Sequence, residues 1–173
     1  MKTTLSHLPA VTLLCLVLSG PALAHAQRPA DERLLGLSET ELQEALPGLQ
    51  HLRRPLPGPH GLRGTWSLSG PDGAEGVLST VFFFQQQRVF HIEQRWSGPA
   101  GHCQAGRRYG LLRQQMDSEF GIGVTAGQEG DPQRSSGWAA GSFDVRLHLN
   151  EAGGQCQVVL VHEVHQERDP SEL

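Results

Sequence analysis

VFFFQQQRVFHIEQRW, Val81 to Trp96, is the stretch whose reading decides the fold. It reads as two strands joined by a polar turn, Gln85 to Arg88. A half-buried strand alternates apolar and polar residues, because successive side chains point to opposite faces of the sheet. Phe82, Phe83 and Phe84 break that alternation, so both faces carry aromatic rings and something must cover the second face. A four-residue turn sets Phe84 opposite Val89, Phe83 opposite Phe90 and Val81 opposite Ile92. The expected core face is then Val81, Phe83, Phe90 and Ile92. The other face takes Phe82, Phe84, Val89, His91, Glu93 and Arg95. Apolar anchors with a polar surround are the composition of a recognition surface.

A second hairpin is expected near the C-terminus, from FDVRLHLN (Phe143–Asn150) and QCQVVLVHEVHQ (Gln155–Gln166) around Gly153-Gly154. In its first strand Phe143, Val145, Leu147 and Leu149 form the natural core set, which turns Asp144, Arg146 and His148 outward. Cys103 and Cys156 are the two cysteines beyond the N-terminal apolar run. In an exported chain an isolated pair is most simply one disulfide. Closing a loop of that length stabilises by roughly 4 kcal/mol in the chain-entropy model. If Cys103 begins a helix, Cys156 points to the helix side with Val158, Leu160 and His162, while Val159, Val161, Glu163 and His165 face away.

Two helices are legible. GLSETELQEALPG (Gly36–Gly48) places Ser38 and Glu41 at capping-box spacing and ends on Pro47-Gly48. Tyr109, Leu112, Met116 and Phe120 recur at helical spacing before Gly121. Each helix is followed by a Trp-bearing strand, at Trp66 and Trp138, and then by a long hairpin. The expected fold class is therefore α+β: two tandem helix-plus-antiparallel-sheet repeats, residues 27–98 and 99–173, each with three strands and with the helices on one face. The Gly36–Gly48 helix, with Trp66 and the VFFFQQQRVFHI hairpin behind it, resembles the BamE (SmpA/OmlA) family of envelope lipoproteins. Two such units in tandem look like the beta-lactamase inhibitor protein family. The resemblance implies a sheet with one side free to bind protein.

MKTTLSHLPAVTLLCLVLSGPALAHAQ begins with Lys2, runs through a short apolar stretch Leu8–Leu18 and ends in Ala-His-Ala. That order is a secretory signal peptide over residues 1–26. The run is shorter than the roughly 20 apolar residues that span a bilayer, so no membrane span is expected. The expected location is periplasmic or secreted. Lys2 is the only lysine, and 13 arginines then face 18 acidic residues, which argues against a nucleic-acid partner.

No catalytic constellation emerges from the motifs. Gly121–Ala126, GIGVTA, matches the loose form of a dinucleotide fingerprint but follows a helix instead of a strand. VHEVH (Val161–His165) has H-E-x-H spacing, not the H-E-x-x-H of a zinc helix. In a strand His162 and His165 point to opposite faces, and His148 lies roughly 26 Å along the ladder from His165. No cofactor and no metal are expected. The expectation is an exported non-catalytic protein-binding module, plausibly an accessory of envelope assembly, whose partner is another envelope or secreted protein. Its contact residues would be Phe82, Phe84, Val89, His91, Glu93, Arg95, Arg146 and His148. One alternative is an inhibitor or immunity protein that blocks an enzyme with its sheet. Another, from a different class, is a small hydrolase using His91 and Glu93. Non-reducing peptide mapping of the exported chain should recover Cys103 linked to Cys156; two free thiols in oxidised material would refute the pairing.

Overall fold

Val81–Trp96 does form a hairpin, but with a tighter turn. In the computed structural model, which describes residues 32–71, 77–99 and 104–166, β3 (Val77–Gln85) and β4 (Arg88–Pro99) are joined by Gln86 and Gln87 alone. Both have positive φ, 50° and 65°, the sense of a type I′ turn whose twist matches the flanking strands. Gln85 pairs Arg88 and Phe84 pairs Val89; the register then slips, and Phe83 pairs His91 while Phe82 pairs Ile92. Phe90 is the surplus residue of a β-bulge.

The bulge corrects the expected faces. Phe82 and Ile92 lie on the helix side, and Phe83 and His91 lie on the other. A one-residue slip moves every side chain beyond it to the opposite face. Phe82 and Phe83 are both fully buried, so the expectation that Phe82 stands open on the second face is also corrected.

The tandem-repeat architecture is corrected as well. The strands form one continuous eight-stranded antiparallel sheet, ordered β1-β2-β3-β4-β8-β7-β6-β5. Besides β3 and β4 it contains β1 (Gln50–Pro57), β2 (Arg63–Pro71), β5 (Val124–Ala126), β6 (Gln133–Ala139), β7 (Phe143–Ala152) and β8 (Gln155–Val164). β4 and β8 pair along their length, from His91↔Glu163 to Pro99↔Gln155. Both are long and apolar, and an open edge on either would expose a row of unpaired backbone groups. Pairing them removes both edges and fuses what the sequence pattern divides. β1 runs through Arg53–Pro57, in a Pro- and Gly-rich run that by local rules reads as a connector; an edge strand tolerates Pro55 and Pro57 because it needs no donor on its outer side.

Both helices pack on one face. α1 (Glu39–Ala45) starts at a capping box, in which Glu41 Oε2 accepts from the Ser38 N–H at 2.8 Å and the Ser38 hydroxyl accepts from the Glu41 N–H at 3.4 Å. Its one buried residue, Leu42, meets Phe82, Val89 and Ile92. α2 (Ala105–Phe120) buries Tyr109, Leu112 and Met116 against Trp96, Trp138, Leu147 and Leu160. Cys156 is buried in the same cluster; Cys103 and the expected leader, residues 1–26, lie outside the described residues. Among the described residues no helix is long and apolar enough to cross a membrane.

Among the described residues the face away from the helices is covered at one end alone. There the Gly58–Leu62 segment lies against Phe83, with Leu62 and Val81 completing a small cluster. A Cβ at Gly58 would come within 2.5 Å of the Phe83 ring, so only glycine lets the backbone approach this closely. Two buried rings on opposite faces should carry similar weight. Phe82→Ala and Phe83→Ala are each expected to cost about 3–5 kcal/mol, read from urea unfolding. A Phe83→Ala variant as stable as wild type would show that the Gly58–Leu62 cover contributes nothing.

Candidate functional site

Beyond Phe83 the uncovered face is built by three adjacent strands, β4, β8 and β7. Their registers align side chains in rows across the sheet: His91–Glu163–Asp144, then Glu93–Val161–Arg146, then Arg95–Val159–His148. Neighbouring strands lie about 4.8 Å apart, so members of a row touch. In the second and third rows valines occupy the middle strand and charged or imidazole side chains the two flanking ones. The result is an open groove of about 390 Å³, floored by Val159 and Val161 and closed at one end by Pro59.

Charges around the groove are knitted together. His91 Nε2 lies 3.0 Å from Glu93 Oε1, and Nδ1 lies 3.5 Å from Glu163 Oε2. The His91 ring also meets Phe83 edge to face, with centroids 5.0 Å apart. Arg95 donates from Nε to Glu93 Oε2 at 2.8 Å and a second time from Nη2. Arg146 donates from Nη2 to Glu163. His91, Glu93 and Glu163 are all buried, and removing one partner of such a group typically costs about 3–5 kcal/mol, because the other is left as an uncompensated charge. At the rim, His165 Nδ1 sits 3.2 Å from Asp144 Oδ1.

Burial alone would raise the Glu93 carboxyl. Hydrogen bonds from His91 and Arg95, and the charges of both, outweigh it and hold the carboxyl below its usual range. His148 keeps an exposed edge, but the groove walls strip part of its water; that loss and the Arg146 charge push it down despite the opposing pull of Glu93.

The groove brings together five of the residues expected from sequence: His91, Glu93, Arg95, Arg146 and His148. It excludes the other three. Phe82, Phe84 and Val89 belong to the cluster beneath α1, on the helix side, because the Phe90 bulge reverses the β3 faces relative to His91. Val159, Val161 and Glu163 complete the site. Their outward direction is legible from the alternation of β8, but nothing local to their sequence marks them as floor and ion-pair partner. Pro59 comes from a turn that the linear pattern gives no reason to place there. His91 and Glu93 do touch, yet Arg95 holds the same carboxylate and His91 is only 2% exposed. Among the described residues no group of three or more His, Cys, Asp or Glu is arranged to hold a metal.

Comparison of the chain with protein-family models, with curated proteins and with solved structures finds no match in any of the three. Fold and groove therefore define the class on their own: a single antiparallel sheet with helices on one face and a charge-lined groove on the other.

The depressed Glu93 carboxyl fixes the sign of a pH effect. A group whose folded pKa lies below its unfolded value, roughly 4.3 for glutamate, stabilises fully above that value and progressively less as pH falls through the folded pKa. Urea midpoints measured from neutral pH into acid should fall below about pH 5. Glu93→Gln should start lower at neutral pH and fall less steeply over the same window. Equal acid slopes for the two proteins would remove Glu93 as a source of the dependence.

Proposed function

We propose that the chain is an exported, non-catalytic protein-binding module that engages its partner through the open sheet face. The observation that carries this reading is the groove, an apolar Val159–Val161 floor between charged walls on the face away from α1 and α2. An apolar centre with a polar surround is the anatomy of a protein interface. Its walls are held in place, because the Glu93 and Glu163 carboxylates are buried and Arg95 and Arg146 each donate to one of them. Preorganisation of this kind lowers the entropy lost on binding.

Export rests on the order of charged, apolar and small residues before Gln27, and a periplasmic or secreted location follows from it. A role as an accessory of envelope assembly rests on the short Gly36–Gly48 motif and on nothing in the groove. In the hydrolase reading His91 would act as a general base, a role that needs a ring nitrogen within reach of substrate. Its Nε2 is instead engaged by Glu93, and its ring is packed against Phe83. The binding reading uses the same residues without asking them to move.

Partner capture from an envelope extract of the source cells tests the face. Leu111 on α2 is 58% exposed on the opposite side of the sheet and serves as a matched control. A protein retained by wild type and by Leu111→Asp should be lost with Val159→Asp at unchanged melting temperature. Equal retention by both variants would place the interface elsewhere.

A further inference from the structure

The groove's carboxylates and guanidiniums balance in number but not in exposure. The side chains of Glu93 and Glu163 are 12% and 5% exposed, whereas those of Arg95 and Arg146 are 33% and 46% exposed. The anions are sunk beside the valine floor and the cations stand above them. Each guanidinium carries five N–H donors in a fixed fork. Arg95 uses Nε and Nη2 on Glu93, and Arg146 uses Nη2 on Glu163. Among the described residues no acceptor lies within hydrogen-bond reach of Nη1 of Arg95 or of Nε and Nη1 of Arg146, and both side chains are partly open to solvent. What the groove presents to an incoming ligand is therefore positive, although the chain as a whole carries a net charge of −4.

We infer that the groove takes an extended acidic segment of a partner polypeptide, whose carboxylates on alternate residues meet Arg95 and Arg146 while the methylene stems of the same side chains lie on Val159 and Val161. The inference rests on the open-face reading above and adds the partner's chemistry. Three geometric facts support it. Arg95 and Arg146 belong to adjacent rows, one alternate-residue step apart along the strands, about 6.8 Å. An extended chain lying along β8 repeats its side chains with the same step, so acidic residues two apart match the two rows. β4 and β7 are two ladder spacings apart, about 10 Å, which leaves room for one chain between the arginines. Guanidinium forks favour carboxylates over neutral acceptors, because charge-assisted pairs are shorter and stronger.

The probe is a blocked, fluorescein-labelled hexapeptide of alternating glutamate and leucine, with the glutamine–leucine peptide as its isosteric partner. Binding to the full exported chain is read by fluorescence anisotropy. The glutamate peptide should bind at least about tenfold tighter than the glutamine peptide, and raised salt should erode the difference. His148 is exposed, faces Arg95 across Val159 and has no hydrogen-bond partner among the described residues, so a carboxylate placed there leaves the fold's ion pairs intact. His148→Glu should weaken the glutamate peptide by about tenfold or more and leave the glutamine peptide unchanged. Gln157→Glu, at the far end of the groove, repeats the test if His148→Glu proves unstable. No binding of the glutamate peptide, equal affinity for both peptides, or indifference to both variants would each overturn the inference. Loss of partner capture in Val159→Asp combined with equal peptide affinities would leave the open face as the interface and remove only its acidic preference.

Discussion

Phe90 is one residue more than the β3–β4 ladder can pair, and both sheet faces depend on how that surplus is absorbed. The Gln86-Gln87 turn fixes Phe84 opposite Val89. Had pairing continued without a bulge, His91 and Glu93 would point at the helices and Phe90 and Ile92 away from them. A histidine, a glutamate and an arginine would then enter the apolar helix-side layer, away from Glu163 and Arg146, at the cost of charge buried in an apolar environment. With the bulge, Ile92 enters the core, and His91, Glu93 and Arg95 align with Glu163, Val161 and Val159 on β8. The groove exists because one peptide unit is left out of the ladder.

The ion pairs impose a second constraint. Glu93 and Glu163 are buried, yet each is within reach of an arginine whose outer nitrogens remain wet. Such an arrangement avoids the full penalty of a buried pair, because only the carboxylate is desolvated. It also explains why, among the described residues, no helix or loop roofs the charged part of the face. Roofing would desolvate Arg95, Arg146 and His148 together, and only a partner that supplies compensating acceptors can do so without loss. At the Phe83 end no charge intervenes, and there the Gly58–Leu62 segment does cover the sheet.

Much of this was legible in the sequence. The capping box at Ser38, the α2 stripe of Tyr109, Leu112 and Met116, and the Gly153-Gly154 hairpin follow from local rules that tertiary contacts did not override. So did the outward direction of Arg146 and His148, because β7 alternates cleanly. What failed was non-local or depended on a single residue. A bulge has no strong sequence signature here: Gln-Gln lacks the glycine or asparagine that usually marks a two-residue turn with positive φ. The fusion of two apparent units into one sheet depends on β4 meeting β8, from Pro99↔Gln155 to His91↔Glu163, a pairing far apart in sequence. Periodicity within each strand says nothing about which edges meet. Pro55 and Pro57 argued for a connector, and only knowledge that β1 is an edge strand reverses that reading.

The two ends of the open face illustrate one rule. Where the outward side chains are Val81 and Phe83, their own chain covers them, since apolar surface left in water destabilises the fold. Further along the sheet, Arg95, Arg146 and His148 stand out from the valine floor, and the sheet tolerates an uncovered face because the most exposed groups are polar. Stability and availability are thus reconciled strand by strand. The floor supplies apolar surface, the sunken carboxylates fix the arginines, and the arginines keep the outer part of the groove polar. A neutral apolar ligand would strand those guanidiniums without acceptors. An anionic one would replace the water they lose, so on the proposed reading charge, more than contact area, is the property by which this face would select a partner.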